Sequence, residues 1–519
     1  MKNWFFIIHP KEDFDSSASR LETIFKKHEI IIIVLLCVIA AFRIFMFNAA
    51  FPLFNNIDEQ AHFDTVVKYS RGYLPHKGDN VFDRESSELI VLYGTPEYFK
   101  KPQDFRSGTI PPPLWSYPAN QISGYVNKSV NYWANLNNHE AFSPPVYYGI
   151  AGIWYNIGKQ LGLRNGYQLY WVRFLNVVVY VLLMWVSYLF CKNIYKEDLF
   201  LRFGVPLMLV SFPQDLFYSI NNDVLSPLLF LFSLYLLVQM YLSNRNRWFY
   251  CMTGIVIAAT FLTKLSNVPV IAILTIMVFL KGRIALKEGY FKKEWPNLLL
   301  LLISSVLPVA FWLGWNFYAL GDITGTAEKV SDLGWTTKSL SQIWDHPIFT
   351  PNGLILFMND LMKTFWRGEF VWHLKRLASS KMDLFYIATT YIFLIASVAG
   401  YMHDKYNRNS KRKVIHCLMY GVIFFSVFFL AVLSTLYDYG GCWYPSSEYP
   451  YFTSGRLISG MLVPFIILYL RGLHLICMID RRIDPFVVMI GLAVLIMYSE
   501  IFVTHDVFAS AYNWFHLQG

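Results

Sequence analysis

Apolar runs dominate this chain, and polar residues are pushed into the gaps between them. The first uninterrupted run covers about residues 29–50, and Lys26 and Lys27 flank its start. Further runs cover about 169–190, a stretch ending at "SINND", about 224–241, a hairpin of two around "TKLSN", and about 298–320. Four more start near Leu384, cover about 414–436, follow "FTSGR", and end near Thr504. A run of roughly 20 apolar residues crosses the hydrocarbon core as a helix. The pattern predicts an all-α polytopic membrane protein with about eleven transmembrane helices.

Two gaps are long. Residues 51–166 are rich in Pro, Asn, Tyr and Trp, and a structureless loop of that length is uncommon. A short helix is expected over 59–71. An amphipathic interfacial helix is expected over 144–161, because Tyr, Trp, Asn and Lys interrupt its apolar residues. The second long gap is 321–381. Short loops such as "SNRNR", "KGRIALKEGYFKK" and "KYNRNSKRK" carry the Lys and Arg, which places them and the N-terminus inside. The two long segments and the C-terminus then lie outside. The chain divides into a cytoplasmic segment 1–28, a membrane module 29–320 that includes outer loop 51–166, a second outer loop 321–381 with an interfacial helix, and C-terminal membrane helices 382–519. Nearly thirty mostly polar residues precede the first run, so it reads as a retained helix rather than a cleaved signal.

Composition agrees. Of 519 residues, 55% are apolar and only 15% charged, against about 25% in soluble domains. The net charge of +9 is absorbed by the inside loops and needs no nucleic acid. The aromatic share of 18% suits interfacial belts and also sugar-stacking surfaces. The six cysteines are scattered without metal-site spacing.

Candidate chemistry gathers where runs end on the outer side. "NNIDEQAHFD" places Asp58, Glu59 and His62 just past the first span. On a helix, Asp58 and Glu59 each share a face with His62. Such a face can hold a divalent cation, or it can simply cap a helix start. It is not HExxH, which argues against a zinc protease of that type. Asn222, Asp223, Lys264, Arg173 and Arg456 recur at other outer ends, and Arg367 and Glu369 sit in "TFWRGEFVWH". Each alone suits snorkelling, capping or a surface ion pair; together they would line one charged cavity. Arg43, inside the first span, is the hardest to assign to a surface.

Four segments carry a resemblance. "IDEQAHF" is similar to a "PDExxHF" segment of the DUF2142 branch of the GT-C glycosyltransferases. "SPPVYYGI" resembles its "HPPLYY", with Ser143 where histidine is usual. "FWRGEF" resembles "FWGxFG", and "SGRLISGMLVP" resembles "GRYLxPxxP" with Leu457 in place of tyrosine. The order of the four is the family's. The resemblance implies a GT-C-like fold and, as its chemistry, transfer of a sugar from a polyprenyl-phosphate donor to a cell-surface polysaccharide or lipid-linked glycan, outside the cytoplasm, with inversion. It implies Asp58 as general base, with Glu59 the other candidate. Arg173, Lys264 and Arg456 become phosphate-binding candidates, since cations stabilise a leaving phosphate. His62, Arg367 and Glu369 would line the same substrate site. Tyr147, Tyr148 and Trp366 would stack on sugar or line a lipid groove. The one cofactor the residues could hold is a divalent metal, on Asp58, Glu59 and His62. A polymerase or ligase with a diphosphate-linked donor, and a lipid-linked sugar flippase, are the alternatives. A transporter often shows internal repeats, and none is visible.

Overall fold

The computed structural model describes residues 20–55, 58–403, 410–442, 444–480 and 482–517. Residues 1–19 of the expected cytoplasmic segment, Ile57 of "IDEQAHF" and residues 405–409 of the most basic run lie outside the described residues. Among the described residues nine helices are long and apolar enough to cross a membrane. They are Thr23–Ala50, Asn165–Ile194, Asn222–Leu242, Leu265–Lys287, Phe291–Leu320, Ser380–His403, Lys411–Leu436, Gly455–Cys477 and Pro485–Phe508. Two further apolar helices, Leu199–Ser211 and Arg247–Phe261, have 13 and 15 residues. At 1.5 Å per residue they reach roughly 20–23 Å, short of the roughly 30 Å hydrocarbon core. The expected eleven spans therefore become nine long helices and two short ones. Leu199–Ser211 is buried along nearly its whole length and packs against the first, second and last long helices.

One polar contact runs through this apolar bundle. Arg43 of the first span does not snorkel. Its guanidinium donates to Glu500 of the last span at 2.6 and 3.1 Å, to the Tyr218 hydroxyl at 2.6 Å and to the Phe212 carbonyl at 2.9 Å. A charge away from water is tolerable only when paired and hydrogen-bonded in this way.

The segment after the first span is folded, as its length requires. Pro52 lacks an N–H and follows the end of the helix. Helices Glu59–Tyr69, Arg84–Tyr93, Ala119–Trp133 and Pro145–Gln160 follow. Asp64 ties them together. It has no solvent exposure and accepts from the Asp83 backbone N–H at 2.7 Å and from Asn138 Nδ2 at 2.6 Å. Lys68 pairs with it at 3.0 Å. That staple brings residues 138–140 against the helix that begins at Glu59. Pro145–Gln160 buries Tyr147, Tyr148, Ala151 and Tyr155 and leaves Ile150, Ile153 and Ile157 exposed on its other side. The helix expected at 144–161 is therefore present, with one packed face and one exposed apolar face.

The second long segment contains helix Pro351–Arg367 and two short ribbons. Thr336–Thr337 pairs with Tyr437–Asp438, and Val371–Trp372 with Lys375–Arg376.

The Arg43–Glu500 pair generates a stability prediction. Glu500→Ala leaves Arg43 buried without its counter-ion, and such a loss costs about 3–5 kcal/mol. The variant should melt well below the wild type in detergent, while the double variant Arg43→Met/Glu500→Leu recovers much of the loss. A scanning fluorimetry melt reads both.

Candidate active site

Five separate stretches end at one end of the bundle. They are the start of Glu59–Tyr69, the start of Asn222–Leu242, the connection at Lys264, the end of Pro351–Arg367 and the start of Gly455–Cys477. Arg456 is where they meet. Its Nη1 is 3.1 Å from Asp223 Oδ2, its Nη2 is 3.6 Å from Asp58 Oδ2, and its Nε is 3.7 Å from Glu369 Oε2. Lys264 Nζ donates to the other oxygen of Asp223 at 2.6 Å. Gly455 makes the meeting possible. A Cβ there would lie 2.2 Å from the Phe365 backbone, so only glycine lets this segment rest on helix Pro351–Arg367.

Asp58 precedes the helix but does not cap it. Its backbone is left-handed, with φ 57°, and its side chain makes no capping hydrogen bond. Asp tolerates that region better than most residues. The carboxylate is thereby turned toward the site, with 38% of the side chain exposed. His139 Nε2 lies 3.6 Å from Asp58 Oδ1. Glu140 follows His139, accepts from Ser143 Oγ at 2.5 Å and pairs with Lys329. Ligand atoms of Asp58, His139 and Glu140 all lie within 4.8 Å of one another. Two carboxylates and an imidazole at this spacing suit a divalent ion such as Mg²⁺, Mn²⁺ or Zn²⁺.

The electrostatics are strongly set. Burial works to raise the pKa of Asp58, but the neighbouring His139 and the charges of Arg456 and Lys329 outweigh it and hold the carboxyl well below its usual range. Glu140 behaves alike: burial opposes ionisation, and Lys329, with help from the histidines and Lys264, overcomes it. Lys264 is lowered by burial despite Asp223. His62 is lowered to about 4 by burial, so its imidazole is neutral at pH 7.

A family described as "Predicted membrane protein (DUF2142)" matches residues 41–440. The chain belongs to the DUF2142 family. It is an integral membrane protein. No curated protein matches this DUF2142 chain in sequence. Two solved structures are similar to it in fold at 12% identity. One is the archaeal oligosaccharyltransferase AglB from Archaeoglobus fulgidus in complex with an inhibitory peptide and a dolichol-phosphate, at a TM-score of 0.40, over 94% of this chain and 56% of that one. The other is the Archaeoglobus fulgidus oligosaccharyltransferase in complex with Zn and sulfate, at 0.39, over 91% and 52%. The DUF2142 chain thus spans about half the length of each.

The structure redistributes the residues singled out in the sequence. Asp58, Lys264, Arg456 and Glu369 come together. Glu59 and Arg173 pair with each other instead, at 2.6 and 2.9 Å, with neither side chain exposed. Glu59 also accepts from the backbone N–H groups of Phe54 and Ile220, each at 2.8 Å. Glu59 is thus engaged by Arg173 instead of standing open beside Asp58 and His62, and among the described residues the group with metal-ligand spacing is Asp58, His139 and Glu140. His62 is buried, with Nδ1 2.7 Å from the Tyr148 hydroxyl. Tyr147 and Tyr148 are buried too and offer no open face for stacking on a sugar. Trp366 is a core residue, stacked on Tyr386 at 4.9 Å and donating to Thr390 at 2.9 Å. Arg367 is engaged by Asp383 at 2.7 and 3.0 Å. His139, Glu140 and Lys329 were absent from the expected set. The one signal for the first two was "NHE" standing two residues before "SPP"; Lys329 carried none.

The contrast between adjacent acids is testable. Glu59→Gln leaves Arg173 without a counter-ion, a loss of about 3–5 kcal/mol. It should lower the melting midpoint and the folded yield. Asp58→Asn, at a partly exposed carboxylate, should change neither appreciably in the same expression and melting assays.

Proposed function

We propose that this DUF2142 protein is a glycosyltransferase that moves a sugar from a polyprenyl-phosphate donor to a surface polysaccharide or lipid-linked glycan on the extracytoplasmic side. The observation that carries the reading is the meeting of Asp58 and Arg456 at one end of the bundle, beside Lys264. An acceptor hydroxyl needs an anionic partner, and a leaving phosphate needs cationic donors. Arg456 presents a planar fork suited to phosphate. The motif resemblance across four ordered segments supports the same chemistry.

In this reading the acceptor oxygen attacks the anomeric carbon as the bond to the donor phosphate breaks, one displacement inverts the centre, and the hydroxyl proton, made acidic by the new bond, passes by way of Asp58 to solvent. Arg456 and Lys264 hold the phosphate oxygens that gain charge. Asp58 orients the acceptor hydroxyl. A carboxylate held so far below its usual range is a weak proton acceptor and a strong fixed charge. Its orienting and electrostatic role therefore outweighs the general-base role that the resemblance implies.

Charge balance favours a cation here. Asp58, Glu140, Asp223 and Glu369 outnumber Arg456, Lys264 and Lys329. Leaving histidine aside, the site is anionic, and it would repel a phosphate. Asp58, His139 and Glu140 would hold a divalent cation, which when bound supplies the missing positive charge.

Two experiments test the reading. Purified protein is incubated with polyprenyl-phosphate sugars, and released polyprenyl phosphate is measured with and without a chelator. Wild type should release it and lose the activity on chelation, with recovery on adding Mg²⁺ or Mn²⁺. Asp58→Asn should fall by about 10²–10³-fold, the usual weight of one electrostatic contact to a transition state. Arg456→Lys should fall mainly in donor use, because lysine loses the bidentate geometry. No release from any donor, or full activity in both variants, overturns the transferase. Topology is tested separately. Ser107 is exposed in the first long loop. Ser107→Cys, with native cysteines replaced, should react with an impermeant maleimide in intact cells. Labelling only after the membrane is opened would place the site on the cytoplasmic side.

A further inference from the structure

Behind Arg456 lies a buried acid that neither the motifs nor the proposed chemistry uses. Asp215 follows helix Leu199–Ser211 and is 3% exposed. Its Oδ2 accepts from the backbone N–H of Glu369 at 2.6 Å and of Phe370 at 2.8 Å. Its Oδ1 is buried and has no protein partner. Beside it, Gly368 has φ 75°, and a Cβ there would sit 1.8 Å from Asp215 Oδ1. Both the backbone conformation and the space require glycine. The preceding residue, Gln214, donates to the carbonyls of Thr364 and Phe365 at 3.0 and 2.6 Å. Gln214 and Asp215 together grip the end of helix Pro351–Arg367 and the turn that follows it. That turn aims the Glu369 side chain at Arg456 and at Ser454, which donates to it.

We propose that Asp215 is a positioning residue for the substrate site: it fixes the Gly368–Phe370 turn, so that Glu369 holds the Arg456 guanidinium in the orientation that receives the donor's phosphate. The consequence for donor binding rests on the transferase reading; the mechanical link does not. A carboxylate is suited to this task because an ionised acceptor makes hydrogen bonds about twice as strong as a neutral one. Several charged or titratable groups face Asp215. Glu369 repels its charge and Arg456 attracts it. Arg367, Tyr218, Tyr386 and Glu500 line a cavity of about 30 Å³ with it. Burial dominates, and with Glu369 it pushes the Asp215 carboxyl up to about 7 against the pull of the two backbone N–H groups and Arg456. The grip is then at full strength above pH 7 and weakens as pH falls through that value.

The test uses the full-length protein in detergent. Asp215→Ala should raise the donor KM on the order of tenfold, the weight of one charged hydrogen bond, with kcat little changed. Asp215→Asn keeps an acceptor oxygen for both N–H groups. It should hold KM, at every pH, near the value that the wild type reaches below pH 7, above that of the ionised wild type and below that of Asp215→Ala. An unchanged KM in folded Asp215→Ala overturns the proposal, as does an Asp215→Asn profile that still bends near pH 7. A second arm needs no activity. Melting midpoints of wild type, Asp215→Ala, Glu369→Gln and the double variant form a cycle. If Asp215 acts through Glu369, the double variant melts close to the lower single variant; strictly additive losses overturn the link. Should no donor turn over, the transferase reading fails and this cycle alone decides the positioning role.

Discussion

Glu59 and Arg173 face each other without solvent exposure, where the chain leaves its first span. Two such charges in a low-dielectric interior are stable only if every remaining polar atom around them is satisfied. Here the guanidinium also takes the carbonyls of Asn48, Phe51 and Pro52, and the carboxylate takes the N–H groups of Phe54 and Ile220. The pair therefore fixes three things at once: the end of the first span, the start of the helix after it, and the segment before Asn222–Leu242. Its demand on Glu59 turns the neighbouring Asp58 the other way. Two adjacent acids thus divide into one that holds the fold and one that faces the site.

Arg456 is the second point of convergence, and its environment explains the electrical character of the site. Its guanidinium is within reach of Asp58, Asp223 and Glu369, with Lys264 behind Asp223. An arginine with three carboxylates at 3.1–3.7 Å is confined rather than left to swing. The same carboxylates make the site anionic overall. In the proposed reading that deficit is what a cation held by Asp58, His139 and Glu140 would offset.

Much of the fold was legible in the chain. The long apolar runs translate directly into helices, because a lipid-facing backbone must satisfy its own hydrogen bonds and the helix does so within one segment. The short third and fifth runs translate into helices too short to cross by length. Hydropathy reports burial but not whether lipid or protein does the burying, and Leu199–Ser211 is buried by its neighbours. The interfacial helix at Pro145–Gln160 was legible from its mixed pattern. Asp58, Lys264 and Arg456 were legible as polar residues at the ends of apolar runs, and Glu369 as an acid in the aromatic stretch "TFWRGEFVWH". Arg173 and Glu59 carried the same signal and turned out to satisfy each other, since a polar residue at a span end looks alike whether it meets a substrate or a partner.

By itself, the sequence determined that this is a helical membrane protein of the DUF2142 type, with charge gathered where its long loops meet its spans. Those properties follow from composition and local pattern, which act over a turn of helix or the thickness of a bilayer. Tertiary structure alone decided which charges face one another. Asp58 meets Arg456 because Gly455 lets one helix start rest on another's backbone, and His139 and Glu140 reach Asp58 because Asp64 staples their loop in place. Coulomb interactions and desolvation depend on distance through space and on what surrounds each group, and neither quantity is written in the spacing of residues along the chain.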